Sequence, residues 1–292
     1  MSTPQYRIID GTLYRRLSTP YSYDLRIHDL GHGQVEALAQ PRYAWEELCA
    51  CSERTLADAA MAQDHIYVDG EWLPKKESPE ELLDKAARNR ERSARRARTQ
   101  VRRLVKAKNL DTMLTLTYQE NMVERARMAR DFDVFMKRVR RILPTFEYVC
   151  VFEQQKRGAW HAHIAVQRIS SHYLYRGTLV KSYDLLRSVW RAVVGAGNVD
   201  VSRAMRKRQR NIGKLAGYLS KYIAKGFDAG QEGDSYRASG RALPKPVVLR
   251  SLATDVGGAA ADLASAINAF WPEGEFYSAL LDGGGYFVSI SP

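Results

Sequence analysis

Cysteine is scarce in this chain, and its scarcity excludes a fold held together by disulfide bonds. Cys49, Cys51 and Cys150 are the three cysteines among 292 residues. Such a small, odd number favours reduced thiols. Cys49 and Cys51 lie in a segment, residues 45–54, that reads as helix, where side chains two positions apart diverge. Their spacing therefore argues against a zinc site.

Long apolar runs are missing as well. No segment approaches the ~20 residues that a membrane-spanning helix needs, and the polar start Met1–Tyr6 does not resemble a signal peptide. We therefore expect a cytoplasmic protein with no membrane partner. The phosphate-binding motif Gly-x-x-x-x-Gly-Lys-Ser/Thr is also missing, so a built-in helicase or other P-loop ATPase is not expected.

Negative charge is outweighed, since 45 Lys and Arg stand against 33 Asp and Glu, a net charge of +12. This balance favours a polyanionic partner, with nucleic acid ahead of an anionic membrane surface. Arg88–Lys108 holds ten basic residues and one acid, Glu91. A solvated helix face would carry mixed signs, so the block favours phosphate contacts. The candidate DNA-binding residues are Arg95, Arg96, Arg102 and Arg103 here, and Arg203, Arg206, Lys207, Arg208 and Arg210 in a second basic run.

Two histidines are spaced for a shared site. Trp160–Gln167 reads as a strand, on which His161 and His163 project to the same face. The strand before it, Phe146–Glu153, is joined by a short turn and predicts a hairpin that brings Glu153 within diagonal reach of the histidines. Two imidazoles and a carboxylate form a mixed nitrogen and oxygen ligand set, suited to Mg²⁺ or Mn²⁺.

Two tyrosines are spaced to meet on one helix. Gly213–Lys225 reads as a helix, on which Tyr218 and Tyr222 lie one turn apart. A tyrosine hydroxyl, with a pKa near ~10, is a poor nucleophile unless a nearby cation favours the phenolate. Lys221 and Lys225, each three residues after a tyrosine, and a bound metal are candidates for supplying that charge.

Each motif alone has an ordinary structural explanation, but together they resemble the HUH endonucleases. Trp160–Ile164 resembles their His-hydrophobic-His motif. Tyr218–Lys225 resembles the paired-tyrosine motif of rolling-circle replication initiators from single-stranded DNA bacteriophages. Leu114–Thr117 looks like their first strand motif, and the three motifs occur in the family's order. The likeness covers roughly residues 110–230.

The resemblance implies an α+β fold with a central, about five-stranded antiparallel sheet and flanking helices. It also implies a metal-dependent, site-specific DNA endonuclease and strand transferase. By matching positions, it assigns metal ligation to His161 and His163 and nucleophilic attack to Tyr218 and Tyr222.

The resemblance leaves the third metal ligand open. Family members take it from a carboxylate or similar group, often on the strand before the histidines, and Glu153 fits that place. Glu147 and Glu120 are the alternatives if the strand register differs. The residue between the histidines is usually bulky and apolar in the family, whereas Ala162 is small here.

These patterns together predict a replication initiator that cuts one strand at an origin and becomes attached to the 5′ phosphate through tyrosine. Its partners would be single-stranded DNA, an origin duplex or hairpin, and a host polymerase and helicase in the bacterial cytoplasm. Two alternatives stay open. One is a transposase or plasmid relaxase of the same superfamily, and the other is a non-enzymatic DNA-binding regulator.

The sequence also suggests a division of the chain into four parts. Residues 1–75 form an N-terminal region of unknown role, and residues 76–110 form a basic helical segment. Residues 111–230 form the nuclease core. Residues 231–292 form a C-terminal extension with a loop, a helix and a strand.

Overall fold

The structure, a computed structural model, describes residues 6–9, 12–48, 65–69, 71–74, 78–203, 212–228, 236–271 and 273–292. Its strands are β1 (Tyr6–Ile9), β2 (Thr12–Asp29), β3 (Val35–Glu47), β4 (His65–Val68), β5 (Glu71–Pro74), β6 (Thr112–Tyr118), β7 (Tyr148–Gln154), β8 (Trp160–Val166), β9 (His172–Tyr175), β10 (Thr178–Lys181), β11 (Gly197–Arg203), β12 (Tyr236–Ala238), β13 (Val247–Ser251), β14 (Glu275–Leu281) and β15 (Gly285–Ser291). Its helices are α1 (Pro79–Ala107), α2 (Arg125–Ile142), α3 (Ser182–Val194), α4 (Ile212–Asp228) and α5 (Val256–Phe270). Helices combined with antiparallel strands confirm the α+β class.

The chain divides into two compact units. The first comprises Met1–Asp29, Val35–Arg88 and Lys245–Pro292, and the second comprises Leu30–Gln34 and Asn89–Pro244. The first unit therefore combines segments from both ends of the chain. The four-part division suggested by the sequence stays a prediction.

The second unit is built on a five-stranded antiparallel sheet with the order β11-β6-β8-β7-β12. This confirms the expected central sheet. The predicted hairpin is also confirmed, since β7 and β8 pair with Glu153 opposite His161. The first strand motif forms β6, which lies on the other side of β8 and pairs Thr115 with His163.

Helices cover this sheet on both faces. The apolar cluster on one face joins the sheet to α2 and α3 through Leu114, Leu116, Ile164, Phe132 and Trp190. The cluster on the other face joins the sheet to α1 and α4 through Val149, Val151, Ala165, Val101 and Leu219. Because both faces are buried, β7 and β8 are apolar along most of their length.

The N-terminus of α1 and the C-terminus of α4 show how local sequence sets helix ends. At the start of α1, Ser78 accepts a hydrogen bond from the Glu81 amide, and the Glu81 carboxylate accepts one from the Ser78 amide. This reciprocal pair satisfies two backbone donors that a helix start leaves unpaired. Helix α4 continues to Asp228, three residues beyond its expected end at Lys225.

The first unit is built on a six-stranded sheet in which β1, β2, β3, β15 and β14 follow one another and β13 pairs with β2. Helix α5 packs on one face through Ala259, Leu263 and Ile267, against the half of β2 from Tyr23 to Ile27. Beyond β15, which pairs with β3 only over residues 35–39, the outer parts of β2 and β3 continue as a ribbon with β1.

One secondary-structure prediction in this unit is wrong. Residues 45–54 read as helix, but Trp45 lies in strand β3 and pairs with Arg16 of β2. Cross-strand pairing over a long hairpin outweighs the helix propensity of a short segment here. Cys49 and Cys51 lie outside the described residues. Cys150 is a buried free thiol whose pKa burial raises well above its usual value.

Candidate active site

The pairing of β7 with β8 gathers three candidate metal ligands on one face of the sheet. His161 and His163 alternate with the core residue Ala162. Glu153 pairs with His161 across the hairpin, and its carboxylate Oε2 lies 2.8 Å from Nε2 of His163. The two imidazole centroids are 6.3 Å apart. Adjacent paired strands therefore bring all three side chains together without any loop residue.

His163 is held at both ring nitrogens. It is 6% exposed, and its Nδ1 lies 3.3 Å from Oγ1 of Thr115 on β6. With a proton on Nε2, the ring donates to Glu153, and Nδ1 can accept from the threonine hydroxyl. With the proton on Nδ1, the ring donates to Thr115, and the Nε2 lone pair becomes available to a cation. Thr115 is a satisfactory partner for either tautomer.

His161 is less enclosed and has its own partner. Its Nδ1 lies 3.1 Å from the side-chain amide nitrogen of Gln155. Burial, followed by the neighbouring His163, lowers the pKa of His161 and favours the neutral ring. A half-turn of the Gln155 amide would let its oxygen accept from Nδ1–H and leave the Nε2 lone pair for a cation.

The paired tyrosines of α4 lie against the histidines. Tyr222 stacks on His163, with ring centroids 4.3 Å apart and an interplanar angle of 10°. Tyr218 lies edge-on to the same imidazole at a centroid distance of 6.4 Å. The two tyrosine rings are nearly perpendicular to each other, and the Tyr222 hydroxyl donates a hydrogen bond to the Tyr218 hydroxyl.

Their environments differ although their spacing makes them look equivalent. Tyr222 is 8% exposed, whereas Tyr218 is 41% exposed. Burial first, and then the hydrogen bond to Tyr218, raises the pKa of Tyr222. Tyr222 is therefore a protonated, buried donor. Tyr218 carries the accessible hydroxyl, whose oxygen already accepts a hydrogen bond.

The lysines of the tyrosine helix do not produce the expected field at Tyr222. Lys221 is exposed on α4, and Lys225 lies in the same helix with its side chain outside the described residues. A nearby ammonium group would lower the pKa of Tyr222, but the observed shift is upward. Activation of this hydroxyl therefore requires positive charge from elsewhere.

The two alternative carboxylates have other partners. Glu147 precedes β7, about 20 Å along the strand from Glu153 at ~3.4 Å per residue. Its carboxylate pairs with Lys108 and accepts a hydrogen bond from Ser239. Glu120 pairs with Arg127 of α2 at 3.1 Å. The geometry therefore favours Glu153 as the carboxylate of this cluster.

The three side chains bond to each other rather than surrounding an ion. Within the described ranges, no group of three His, Cys, Asp or Glu side chains is arranged to hold a metal. The reason is the direct hydrogen bond between Glu153 and His163. The donor set itself fits a divalent cation, because it offers two neutral imidazoles and a carboxylate on neighbouring strands.

Part of the predicted DNA-binding set lies on the same sheet face. Helix α1 packs beside α4, where Ser220 donates to the Arg98 carbonyl at 3.3 Å. Arg95 and Arg96 are exposed on α1, and Arg95 pairs with Glu91 at 2.6 Å. Arg102 and Arg103 are half-buried. In the second run, Arg203 ends β11 with its side chain outside the described residues, and Arg206, Lys207, Arg208 and Arg210 lie outside them entirely.

Two polar residues of the site were not identified from the sequence. Thr115 belongs to the first strand motif, in which Leu114 and Leu116 face the core and Thr115 faces the opposite side. This alternation marks it as polar and outward, but its contact with His163 depends on the pairing of β6 with β8. Gln155 follows β7 in the hairpin turn, where its position close to His161 was readable from the predicted register.

Comparison with known proteins identifies the family that the second unit resembles. No curated protein and no solved structure shows significant similarity to the chain. No helix among the described residues is long and apolar enough to span a membrane. The histidines, Glu153 and both tyrosines all fall within residues 111–227, and this segment matches the family model of the replication-associated protein ORF2/gene 2 protein.

Proposed function

We propose that this chain is an HUH-type replication initiator that nicks and rejoins single-stranded DNA through a covalent 5′-phosphotyrosine intermediate. The observation that carries the proposal is the contact of Tyr218 and Tyr222 with His163 and, through it, with Glu153. Paired nucleophiles beside a cation-binding donor set suit phosphoryl transfer better than a structural role. The match to replication-associated proteins supports DNA as the substrate.

Tyr218 is the first nucleophile in this proposal. Its exposed hydroxyl can approach a phosphodiester, whereas Tyr222 is buried against His163. The hydrogen bond that Tyr222 donates stabilises negative charge as it develops on the Tyr218 oxygen. The two tyrosines thus act together in the first cut, one as nucleophile and the other as donor.

The bond changes of this step balance without an oxidant or reductant. The Tyr218 oxygen forms a bond to phosphorus, and the bond between phosphorus and the 3′ oxygen breaks. The phenolic proton is lost, and the departing 3′ oxygen takes up a proton to leave a 3′ hydroxyl. The phosphotyrosine conserves the energy of the broken bond, so a 3′ hydroxyl can later attack it and restore the strand.

The residues that would hold a divalent cation, Mg²⁺ or Mn²⁺, are His161, His163 and Glu153. When bound, the cation would polarise a phosphoryl oxygen and neutralise charge in the transition state. The protein's own part is to fix the ring orientations, with Thr115 holding His163 and Gln155 holding His161. The exposed arginines of α1 would hold the DNA backbone on the same face.

Tyr222 provides the second cut. After one circuit of synthesis from the 3′ hydroxyl by a host polymerase and helicase, Tyr218 is still esterified. A second hydroxyl one helical turn away can then cut the regenerated site without release of the first strand. The freed 3′ hydroxyl attacks the Tyr218 phosphotyrosine, which closes the first strand into a circle.

Trapping of the covalent product tests the proposal. The protein is incubated with Mn²⁺ and a 3′-labelled pool of random single-stranded oligonucleotides, and denaturing gels are scored for label on the protein. We expect an adduct that maps mainly to Tyr218, falls strongly in Tyr218→Phe, falls less in Tyr222→Phe and is absent in the double variant. Tyr175→Phe, in the same unit, should behave as wild type.

The same experiment separates the rival functions. An adduct that persists in the double variant would refute the tyrosine mechanism. Complete lack of an adduct with intact DNA binding would favour a non-enzymatic regulator. Assays with circular single-stranded templates then ask whether loss of either hydroxyl prevents unit-length circles, as alternating nucleophiles require.

A further inference from the structure

The outer ribbon of the first unit carries aromatic rings and arginines where a solvated sheet normally carries small polar residues. Alternation along β3 places Tyr43 and Trp45 on one face. Cross-strand pairing places Arg16 opposite Trp45 and Arg7 opposite Tyr14. These five residues, Arg7, Tyr14, Arg16, Tyr43 and Trp45, are called the ring surface below.

The arginines of the ring surface lie over its aromatic faces. The Arg7 guanidinium carbon lies 4.0 Å from the Trp45 ring centroid, and that of Arg16 lies 4.2 Å from the Tyr43 centroid. All of the ring surface except Arg16 lines one open concavity on the ribbon, together with Tyr21, Arg42 and Ala44. The guanidinium planes therefore continue the stack of rings, and both present flat faces to a ligand.

Helix α5 leaves this part of the sheet uncovered. The alternation of β3 puts Ala37 and Ala39 on the same face as Tyr43 and Trp45, and α5 packs over the alanine end. Tyr14, Tyr43 and Trp45 are only half-buried, and Arg7 is exposed. A core function does not account for rings in this position, because the apolar cluster of the unit lies at the other end of the strands.

We propose that the ring surface binds single-stranded DNA, by stacking of unpaired bases on the rings and phosphate contacts to the arginines. Bases of any sequence stack on aromatic rings and guanidinium planes, so such a surface holds a strand without reading it. Duplex DNA cannot use it in this way, since its bases are already stacked. Glu47, the acid that joins this face by register, does not reverse the positive balance of Arg7 and Arg16.

The charge pattern favours a strand over a protein partner. Arg15, on the opposite face of the ribbon, is paired with Glu46 at 2.7 Å. The arginines of the ring surface lie over rings instead, an arrangement that retains their charge and exposes donors to a phosphate. This site is separate from the nicking chemistry and depends on the proposed function only in taking DNA as its ligand.

Binding of a fluorescein-labelled oligothymidylate of about 16 nucleotides, the upper site size of one single-stranded DNA-binding fold, tests the proposal. The full chain carries Tyr218→Phe and Tyr222→Phe and is kept in EDTA, so neither nucleophile nor metal contributes. We expect Trp45→Ala and Tyr43→Ala each to weaken binding by about 5- to 150-fold. Trp45→Phe and Tyr43→Phe, which keep a ring, should bind nearly as wild type.

Arginine variants and a distant ring supply the controls. Arg16→Gln should make the log–log salt dependence of binding shallower by about 0.7. Tyr277→Ala removes a ring that is 62% exposed on β14 of the same unit, and it should bind as wild type. Thermal unfolding midpoints verify that every variant is folded.

Three results would overturn the proposal. The first is wild-type affinity in folded Trp45→Ala and Tyr43→Ala proteins, which would leave the rings for a protein partner. The second is an equal loss in Tyr277→Ala, and the third is equal competition by duplex and single-stranded DNA. Ring-dependent binding without any covalent adduct would refute the proposed function and support the ring surface. Adduct formation with ring-independent binding would do the reverse.

Discussion

The two sheets of this protein differ in what covers them. The five-stranded sheet of the second unit has helices on both faces, and it carries the polar cluster of His161, His163, Glu153 and Thr115 beneath α4. The six-stranded sheet of the first unit has α5 over one part of a face and leaves the ring surface bare. A sheet packed on both sides can hold reacting groups rigidly, whereas a bare sheet offers flat area for a flexible ligand.

The comparison assigns chemistry to one sheet and strand binding to the other. The tyrosines support the first half, because their rings pack directly against an imidazole of the sheet. The cation–π pairs support the second half, because they keep large rings and charges at the surface. Variants in the two sheets should therefore have opposite effects on cleavage and on binding.

The largest effect is expected from the histidine pair. The variant with His161→Ala and His163→Ala should form no detectable covalent adduct, because both imidazole donors of the proposed cation site are gone. Its affinity for oligothymidylate should stay within about threefold of wild type, since phosphate and ring contacts dominate binding. The measurements are the gel assay and fluorescence anisotropy. Full activity would refute the metal assignment, and a large loss of affinity would break the separation between the sheets.

Loss of the Thr115 hydroxyl should have an intermediate effect on the same sheet. Thr115→Val keeps the shape of the side chain but removes the partner that orients His163. Such outer contacts typically contribute about 10- to 100-fold in metal affinity. Titration with Mn²⁺, followed by the loss of free-ion electron paramagnetic resonance signal, measures this directly.

Thr117→Val is the matched control for that experiment, because Thr117 lies two residues further along the same strand. Its hydroxyl donates to the Asn198 carbonyl at 3.5 Å instead of contacting His163. Equal Mn²⁺ affinities in the two variants would show that Thr115 plays no part in positioning the imidazole.

The smallest effect is expected from Glu147, which joins the start of β7 to Lys108. Burial alone would raise the pKa of Glu147, but the hydrogen bonds from Lys108 and Ser239 outweigh it, and the pKa is lowered. A lowered carboxyl pKa contributes stability above the unfolded value, near ~4.3, and this stability is lost as the pH falls through the folded pKa. Glu147→Gln should cost about 0.2–1 kcal/mol in the free energy of unfolding at pH 7.

Urea denaturation of wild type and Glu147→Gln from pH 7 to pH 3 measures this prediction. The difference between the two proteins should shrink as the pH falls below about 4. Cleavage should be unchanged, because the carboxylate of the active-site cluster is Glu153. Reduced adduct formation in Glu147→Gln with a normal fold would return Glu147 to the list of metal ligands.

Local periodicity was sufficient to predict the central parts of the candidate site. The hairpin of β7 and β8 and the helix with Tyr218 and Tyr222 follow from alternation, turn residues and helical spacing, all of which are short-range. The prediction of helix around Trp45 is wrong because strand pairing there joins residues about thirty positions apart. No local propensity carries information about such a partner.

The sequence by itself determined which residue types can carry chemistry and which of them share a strand or a helix face. Only the tertiary structure decided that Thr115 meets His163, that Tyr222 is buried while Tyr218 is exposed, and that the two ends of the chain share a sheet. The physical reason is that burial and strand order depend on contacts between distant segments. Equal spacing along a helix cannot distinguish two tyrosines, but packing against the sheet does.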